Sequence, residues 1–398
     1  MNLNILQKEI SMPITIITLI ALMVFNSNIH IPCLPHIRNE FLTSSFLVQF
    51  AFALNPLVSV FANFIFGSAA EAYNKKSLLI ACIICFLTGC ILCAYSPTIF
   101  IFLLGRLFQA IGDGGIAVVS IMILSIQQKE QFAYYLGINS AFCGLAWGLA
   151  PLFGSSILHL LGWQWNFFII FCFVLVTGVL LAFYLPSENL ERVSNKVSSI
   201  DSIWRTTIKL LNTTNFVSPN WGGAIAIGIF GAFEVNSPFI FIDSYNFTPG
   251  QFSLFNALII AINVIASICY IKIVQYFKVK GALLIGIMNY LLFAFVIALS
   301  LSHLLLPSPY LILLIMGFLA FALPFLLSTT TIYALHGIEE IKGIALATLT
   351  CSRNLASATI TLVTSIFYTG DIYPFFTISL AVSIIALRFL FITLKRPL

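Results

Sequence analysis

Charge is what this sequence has least of. Lys and Arg number 18 and Asp and Glu 13 in 398 residues, 8% of the chain. So few charges cannot cover soluble domains of that combined size. No helix-forming stretch interleaves basic and aromatic residues, and the net charge is only +5, so nucleic acid is excluded as a partner. A His/Asp/Glu metal cluster, a Ser–His pair and a phosphate-binding glycine loop are all missing, which argues against an enzyme and against a resident cofactor. Cys82, Cys85, Cys90 and Cys93 have the paired spacing of a zinc site. Both pairs fall inside one apolar helix-forming stretch rather than in turns, so we read them as small apolar residues and expect no metal. A cleavable leader is not expected either. Residues 1–11 carry Lys8 and Glu9 and lead into an apolar run too long for a signal-peptide core, so the first span is read as a retained anchor.

What fills the chain instead is apolar: 60% of residues are hydrophobic, and they come in long blocks. At about 20 residues per membrane-crossing helix, the blocks predict twelve spans, at 13–34, 45–67, 78–95, 98–125, 135–160, 166–185, 220–245, 251–276, 282–303, 309–335, 343–368 and 372–394. The expected fold is an all-α polytopic membrane protein. A polar connection at 186–219, with Glu188, Glu191, Arg192, Lys196, Asp201, Arg205 and Lys209, separates an N-terminal six-helix bundle (1–185) from a C-terminal one (220–398). Orientation follows the Lys and Arg bias. Lys8, Lys75, Lys76, Lys129, the middle connection, Lys278, Lys280, Lys342, Lys395 and Arg396 fall on one side and Arg38 alone on the other, so both termini are expected in the cytoplasm. An internal echo supports the halving: Tyr73-Asn-Lys-Lys-Ser-Leu-Leu-Ile80 after span two matches Tyr276-Phe-Lys-Val-Lys-Gly-Ala-Leu-Leu-Ile285 after span eight. Two such halves suggest parallel repeats with a central site.

Local motifs are more specific. Gly67-Ser-Ala-Ala-Glu-Ala-Tyr-Asn-Lys-Lys76 resembles the loop motif of the major facilitator superfamily, and Leu104-Gly-Arg-Leu-Phe-Gln-Ala-Ile-Gly112 resembles its fourth-helix motif. Gly144-Leu-Ala-Trp-Gly-Leu-Ala-Pro-Leu-Phe-Gly154 is similar to its fifth-helix antiporter motif, with Leu161-Gly-Trp-Gln-Trp-Asn-Phe167 following. Within the superfamily, Ala150-Pro151, Ile31-Pro32-Cys33-Leu34-Pro35 and Asn236-Ser237-Pro238-Phe239 resemble the Bcr/CflA branch of drug:proton antiporters, as does Gln251-Phe252-Ser253-Leu254-Phe255-Asn256. The resemblance implies a monomer in a bacterial inner membrane that exports small amphipathic compounds in exchange for protons by alternating access. Its partners would be substrate, protons and the lipid bilayer.

The chain departs from that branch where coupling is concerned. Asn28 stands where the branch has an aspartate in the first span, and His30 where it has a tyrosine. In the loop motif Glu71, Ala72 and Asn74 replace the usual aspartate, arginine and glycine. Asparagine cannot carry a proton, so another acid must do so or transport is not proton-coupled. Arg106, Asp113, Glu234 and Arg353 lie deep in spans, where a charge costs about 2.5–3.5 kcal/mol or more, and each is a functional candidate. Arg106 and Asp113 share a helix face, because seven steps of ~100° nearly close two turns. Asp113 and Glu234 are the candidate proton carriers, with Arg106 as their modulator. Arg353 is expected to pair with Glu234. A substrate cavity is expected from Asn28, His30, Asn55, Gln109, Trp147, Asn236, Asn256 and Arg353, since polar side chains in spans turn away from lipid. For conformational change the candidates are Gly67, Glu71, Lys75 and Lys76 as an ion-pair latch. Gly144, Gly148, Pro151 and Gly154 permit close approach and a bend, serving either tight packing or antiport. The alternative function is a facilitator or importer of a small nutrient or metabolite, without proton antiport.

Overall fold

The computed structural model describes residues 3–128, 131–185, 200–338 and 341–396. Lys129, Glu188, Glu191, Arg192 and Lys196 lie outside the described residues, as do the side chains of Lys8, Glu9, Glu71, Asp201 and Lys342. The described chain is all helix and turn. Its elements are α1 (Leu3–Ile29), a 3₁₀ turn (Ile31–Cys33), α2 (Leu34–Glu40), α3 (Ser45–Ala72), α4 (Lys75–Ala94), α5 (Ile99–Gln127), α6 (Phe132–Leu161) and α7 (Gln164–Tyr184). Then come α8 (Ile200–Leu211), α9 (Thr214–Pro238), a π segment (Phe239–Ser244), α10 (Pro249–Leu301), α11 (Pro309–Leu335), α12 (Lys342–Ile366) and α13 (Tyr373–Leu394).

Helix starts are set by small polar caps. Ser44, Thr98 and Ser308 each accept a bond from the third following backbone N–H, and Asn74 accepts from Lys76 N and Ser77 N. Thr248 and Gln251 form a reciprocal capping box at the start of α10. Prolines inside helices free carbonyls, which side chains then satisfy. Pro324 cannot donate to Ala320 O, and Asn263 Nδ2 of α10 donates there instead at 2.9 Å. Pro238 likewise frees Glu234 O, which accepts from Ser237 Oγ at 3.3 Å.

Ten helical stretches among the described residues are long and apolar enough to cross a bilayer. One is α10, whose 53 residues would extend about 80 Å if straight, far more than one crossing needs. Lys278 breaks it with φ 57° and ψ −179°, so spans eight and nine are joined by a kink where the sequence suggests a loop. The other departure is α12, the eleventh span, whose Ser, Thr, Arg353 and Asn354 dilute its hydropathy. Twelve long segments therefore build the fold. Among the described residues of the middle connection, α8 occupies 200–211, and α9 begins at Thr214 rather than near 220. Leu210 of α8 is buried with Phe216, Ala334, Ala345 and Leu349.

The chain forms two compact units, residues 1–198 and 199–398. Each has the same packing pattern. In the first, α1 packs on α6 and α7, α5 on α3 and α4, and α4 on α7. In the second, α9 packs on α12 and α13, α11 on α10, and α10 on α13. With α10 counted as two spans, the correspondence runs helix for helix.

Candidate functional site

Two charged side chains of α5 point at α3. Arg106 is 2% exposed. Its Nη1 donates to Gln109 Oε1 at 2.7 Å, and its Nε donates to Ala51 O at 3.4 Å. Its guanidinium carbon lies 4.3 Å from the centroid of the Phe52 ring, a cation–π contact. Gln109 is tied in turn to α4, with Nε2 donating to Cys90 Sγ at 3.1 Å. The α4–α5 contact is backbone-close: a Cβ on Gly89 would fall 2.6 Å from Gln109 N and from Gly105 O. Two turns further along α5, Asp113 Oδ2 accepts from Asn55 Nδ2 at 3.0 Å, and the same amide nitrogen donates to Ser27 Oγ at 3.1 Å. Helices α1, α3 and α5 thus meet at one carboxyl group. Asn55 carries both a donor and an acceptor, so a hydrogen bond to Asp113 is available in either protonation state.

The end of α1 is held more tightly than a cavity wall requires. Asn28 is buried and donates from Nδ2 to Val24 O of its own helix at 2.8 Å. His30 is fully buried, with Nε2 3.3 Å from Asn26 Oδ1 and its ring stacked on Phe167 at 3.8 Å and 12°. Gly154 explains how α6 comes so near: a Cβ there would lie 1.7 Å from Ile29 O. Around it Asn166 Nδ2 donates to Cys33 Sγ at 3.1 Å and to Gly154 O at 3.5 Å. The other glycines differ. A Cβ on Gly144 would meet nothing within 4 Å, and on Gly67 only Val118 at 3.8 Å. Close packing therefore belongs to Gly154, and neither Gly67 nor Gly144 is needed for a close approach. Pro151 sits within α6, beside the half-buried Trp147 and Gly148.

The two lysines of the loop motif open α4. Lys75 is buried, and Lys76 Nζ donates to Leu185 O, at the C-terminal end of α7, at 2.7 Å. A cation there complements the helix dipole. The side chain of Glu71 is outside the described residues.

In the second unit Glu234 is half-buried on α9. Asn236, 1% exposed, donates to Ala232 O at 2.7 Å and to Thr364 Oγ1 of α12 at 3.0 Å. Arg353 of α12 donates from Nη2 to Leu327 O at 3.2 Å and to Thr331 Oγ1 at 2.7 Å. Its hydrogen bonds thus tie α12 to α11, where the sequence suggests pairing with Glu234 on α9. Asn256 of α10 is 1% exposed, and neither Nδ2 nor Oδ1 has a hydrogen-bond partner.

The family model described as Major Facilitator Superfamily matches residues 16–361. The chain belongs to that superfamily. With its apolar helices, it is a multi-pass integral membrane protein. Among curated relatives, the uncharacterized MFS-type transporter YdgK of Bacillus subtilis is 24% identical over 58% of this chain and 58% of its own length. The efflux pump FUS6 of Gibberella moniliformis is 29% identical over 40% of this chain and 29% of its own. The matches therefore span little more than half of the one relative and under a third of the other. Among solved structures, the xylose transporter XylE from E. coli superimposes with a TM-score of 0.70, at 15% identity, over 97% of each chain. The nucleoside transporter NupG does so at 0.72, at 11% identity, over 96% of this chain and all of the other. At such identities the likeness is one of fold.

Sequence reasoning singled out the superfamily member's charges within spans but missed Glu40, Trp163 and Gln164 as a group. Glu40 Oε2 accepts from Trp163 Nε1, and Oε1 from Gln164 Nε2 at 2.8 Å. Trp163 carried a signal, as part of the motif after the fifth span. Glu40 carried none, because nothing in the chain links positions 123 residues apart.

Proposed function

We propose that this protein is a secondary transporter that exports small amphipathic compounds in exchange for protons by alternating access, as in the Bcr/CflA branch. The observation that carries the reading is Asp113, a carboxyl group inside a span with an amide of α3 as its hydrogen-bond partner. A carboxyl so placed has reason to be there only if its charge changes or is used, given the cost of burying it in a bilayer. Glu234 supplies a second carrier. It lies four residues before Pro238, as Asn28 lies four before Pro32, so the acid missing from the first repeat has a counterpart in the second. Arg106, fixed by Gln109 and Phe52, would modulate Asp113 two turns away. Asn55, Gln109, Trp147, Asn236, Asn256 and Arg353 would contact substrate, with Asn28 and His30, buried at the closely packed end of α1, supporting them from behind, and Gly154 with Pro151 would keep α1 and α6 moving together. Relatives named as efflux pumps favour export. A bacterial inner membrane with both termini cytoplasmic, and a monomeric state, complete the reading.

The test is counterflow in proteoliposomes with an imposed pH gradient, using lipophilic cations as substrates. Export by the wild type should follow the gradient, and Asp113→Asn with Glu234→Gln should abolish gradient-driven flux while sparing exchange of substrate for substrate. Flux by the double variant that still tracks the pH gradient would overturn the assignment. A second reading, a facilitator or importer of a polar metabolite, draws on Asn28, whose amide is committed to Val24 O and cannot carry a proton. Transporters named for xylose and nucleosides share the fold. Gradient-independent uptake of such solutes would favour it.

A further inference from the structure

The first span breaks at His30. After the 3₁₀ turn the chain resumes as α2, a seven-residue helix too short to hold its own direction. Its last residue, Glu40, receives the indole N–H of Trp163 and the amide N–H of Gln164, which sit at the turn into α7. Bonds to an ionised acceptor are the stronger kind. This carboxylate therefore straps α2 to α7 at the end of the unit remote from the N-terminus.

The strapped indole is one ring of an aromatic plate. Trp163 meets Phe41, Phe102 and Phe167 edge-on, with centroids 5.7, 5.8 and 5.9 Å away. Phe102 and Phe167 also meet edge-on at 5.7 Å. Phe167 carries the stacked His30 ring, His30 lies 6.2 Å from Phe52, and Phe52 lies under the Arg106 guanidinium. Every ring here except Phe41 is at most 5% exposed. In so close-packed an interior a ring cannot shift alone. Holding the indole fixes Phe167, which fixes His30 and with it the end of α1.

We infer that Glu40 is a positioning residue for transport: by anchoring Trp163 and Gln164 it sets the placement of His30 and Phe52, and through them of Arg106. The inference rests on the proposed transport role for its consequence, but the strap itself does not.

The experiment has two readouts. Indole N–H signals of ¹⁵N-tryptophan-labelled protein report the strap directly. There are five tryptophans, and Trp163→Phe assigns the signal. Glu40→Ala should move the Trp163 signal and no other, and Glu40→Gln, which keeps one acceptor oxygen, should move it less. In transport, Glu40→Ala should raise KM about tenfold, the scale of one hydrogen bond to a charged group, while maximal velocity per folded molecule changes less than about twofold. Glu40→Gln should recover part of that loss. Arg38→Ala, on the same short helix, should change neither readout. An unmoved Trp163 signal would overturn the strap. A moved signal with unchanged KM, or loss confined to maximal velocity and protein yield, would overturn the positioning role. If the wild type carries no substrate in any direction, the transport reading fails, and the indole signal still decides whether Glu40 holds Trp163.

Discussion

Gly154→Ala tests whether α1 and α6 are joined by backbone contact. The added methyl would stand 1.7 Å from Ile29 O and 2.8 Å from Ile29 C. Both are main-chain atoms at the C-terminal end of α1, so no rotamer change relieves the clash. The helices must part by about 1.5 Å to restore van der Waals separation. Parting them also lengthens the bonds from Asn166 Nδ2 and Cys33 Sγ to Gly154 O, now 3.5 and 3.8 Å. Overpacking costs about 1–3 kcal/mol, and a rigid backbone partner places this site at the upper end, ~3 kcal/mol. For a unit of this size that is roughly a 6–12 °C fall in melting temperature. Gly144→Ala is the matched control. Nothing lies within 4 Å of its added methyl, and alanine favours helix over glycine by about 0.5–1 kcal/mol, so the same motif should yield a small stabilisation there. Thermal unfolding of purified protein in one detergent, followed by tryptophan emission, separates the two. Equal melting temperatures for Gly154→Ala and wild type would refute the backbone contact, and equal losses for both variants would refute the distinction between them.

Three further outcomes follow from named contacts. Gln109→Ala removes the acceptor from Arg106 Nη1 and the donor to Cys90 Sγ; leaving the buried guanidinium short of a partner should cost about 1–3 kcal/mol, read by the same melts. Asn256→Leu replaces an amide with neither polar atom bonded by a side chain of similar volume. It should stabilise by about 1–2 kcal/mol while weakening substrate binding in a scintillation proximity assay; a destabilised variant would mean that the amide has partners in the folded protein. Lys76→Ala withdraws a cation and a hydrogen bond from the C-terminal end of α7 and should cost about 0.5–1 kcal/mol, with the effect shrinking at high salt.

The twelve-helix fold and the superfamily were legible in the sequence because lipid imposes its demands locally. A span must be apolar for about 20 residues on its own, a cap must be a small polar residue at one position, and a costly buried charge is visible wherever it falls. Arg106 and Asp113 stood out as charges inside a span and Gln109 and Asn55 as polar residues there, and helical periodicity put Arg106 and Asp113 on one face. The kink that replaces the loop at Lys278 was not legible, since a polar lysine reads alike in a loop and in a bent helix. Partners were less legible still. That Asp113 meets Asn55, that Lys76 reaches Leu185 O, that Arg353 turns to Thr331, and that Glu40 holds Trp163 are facts about which helix faces lie opposite one another. Those faces are chosen by packing within each unit, as where α1 and α6 approach so closely that a Cβ on Gly154 would stand 1.7 Å from Ile29 O. Local chemistry determined what each segment is, and only the tertiary contacts decided what each side chain touches.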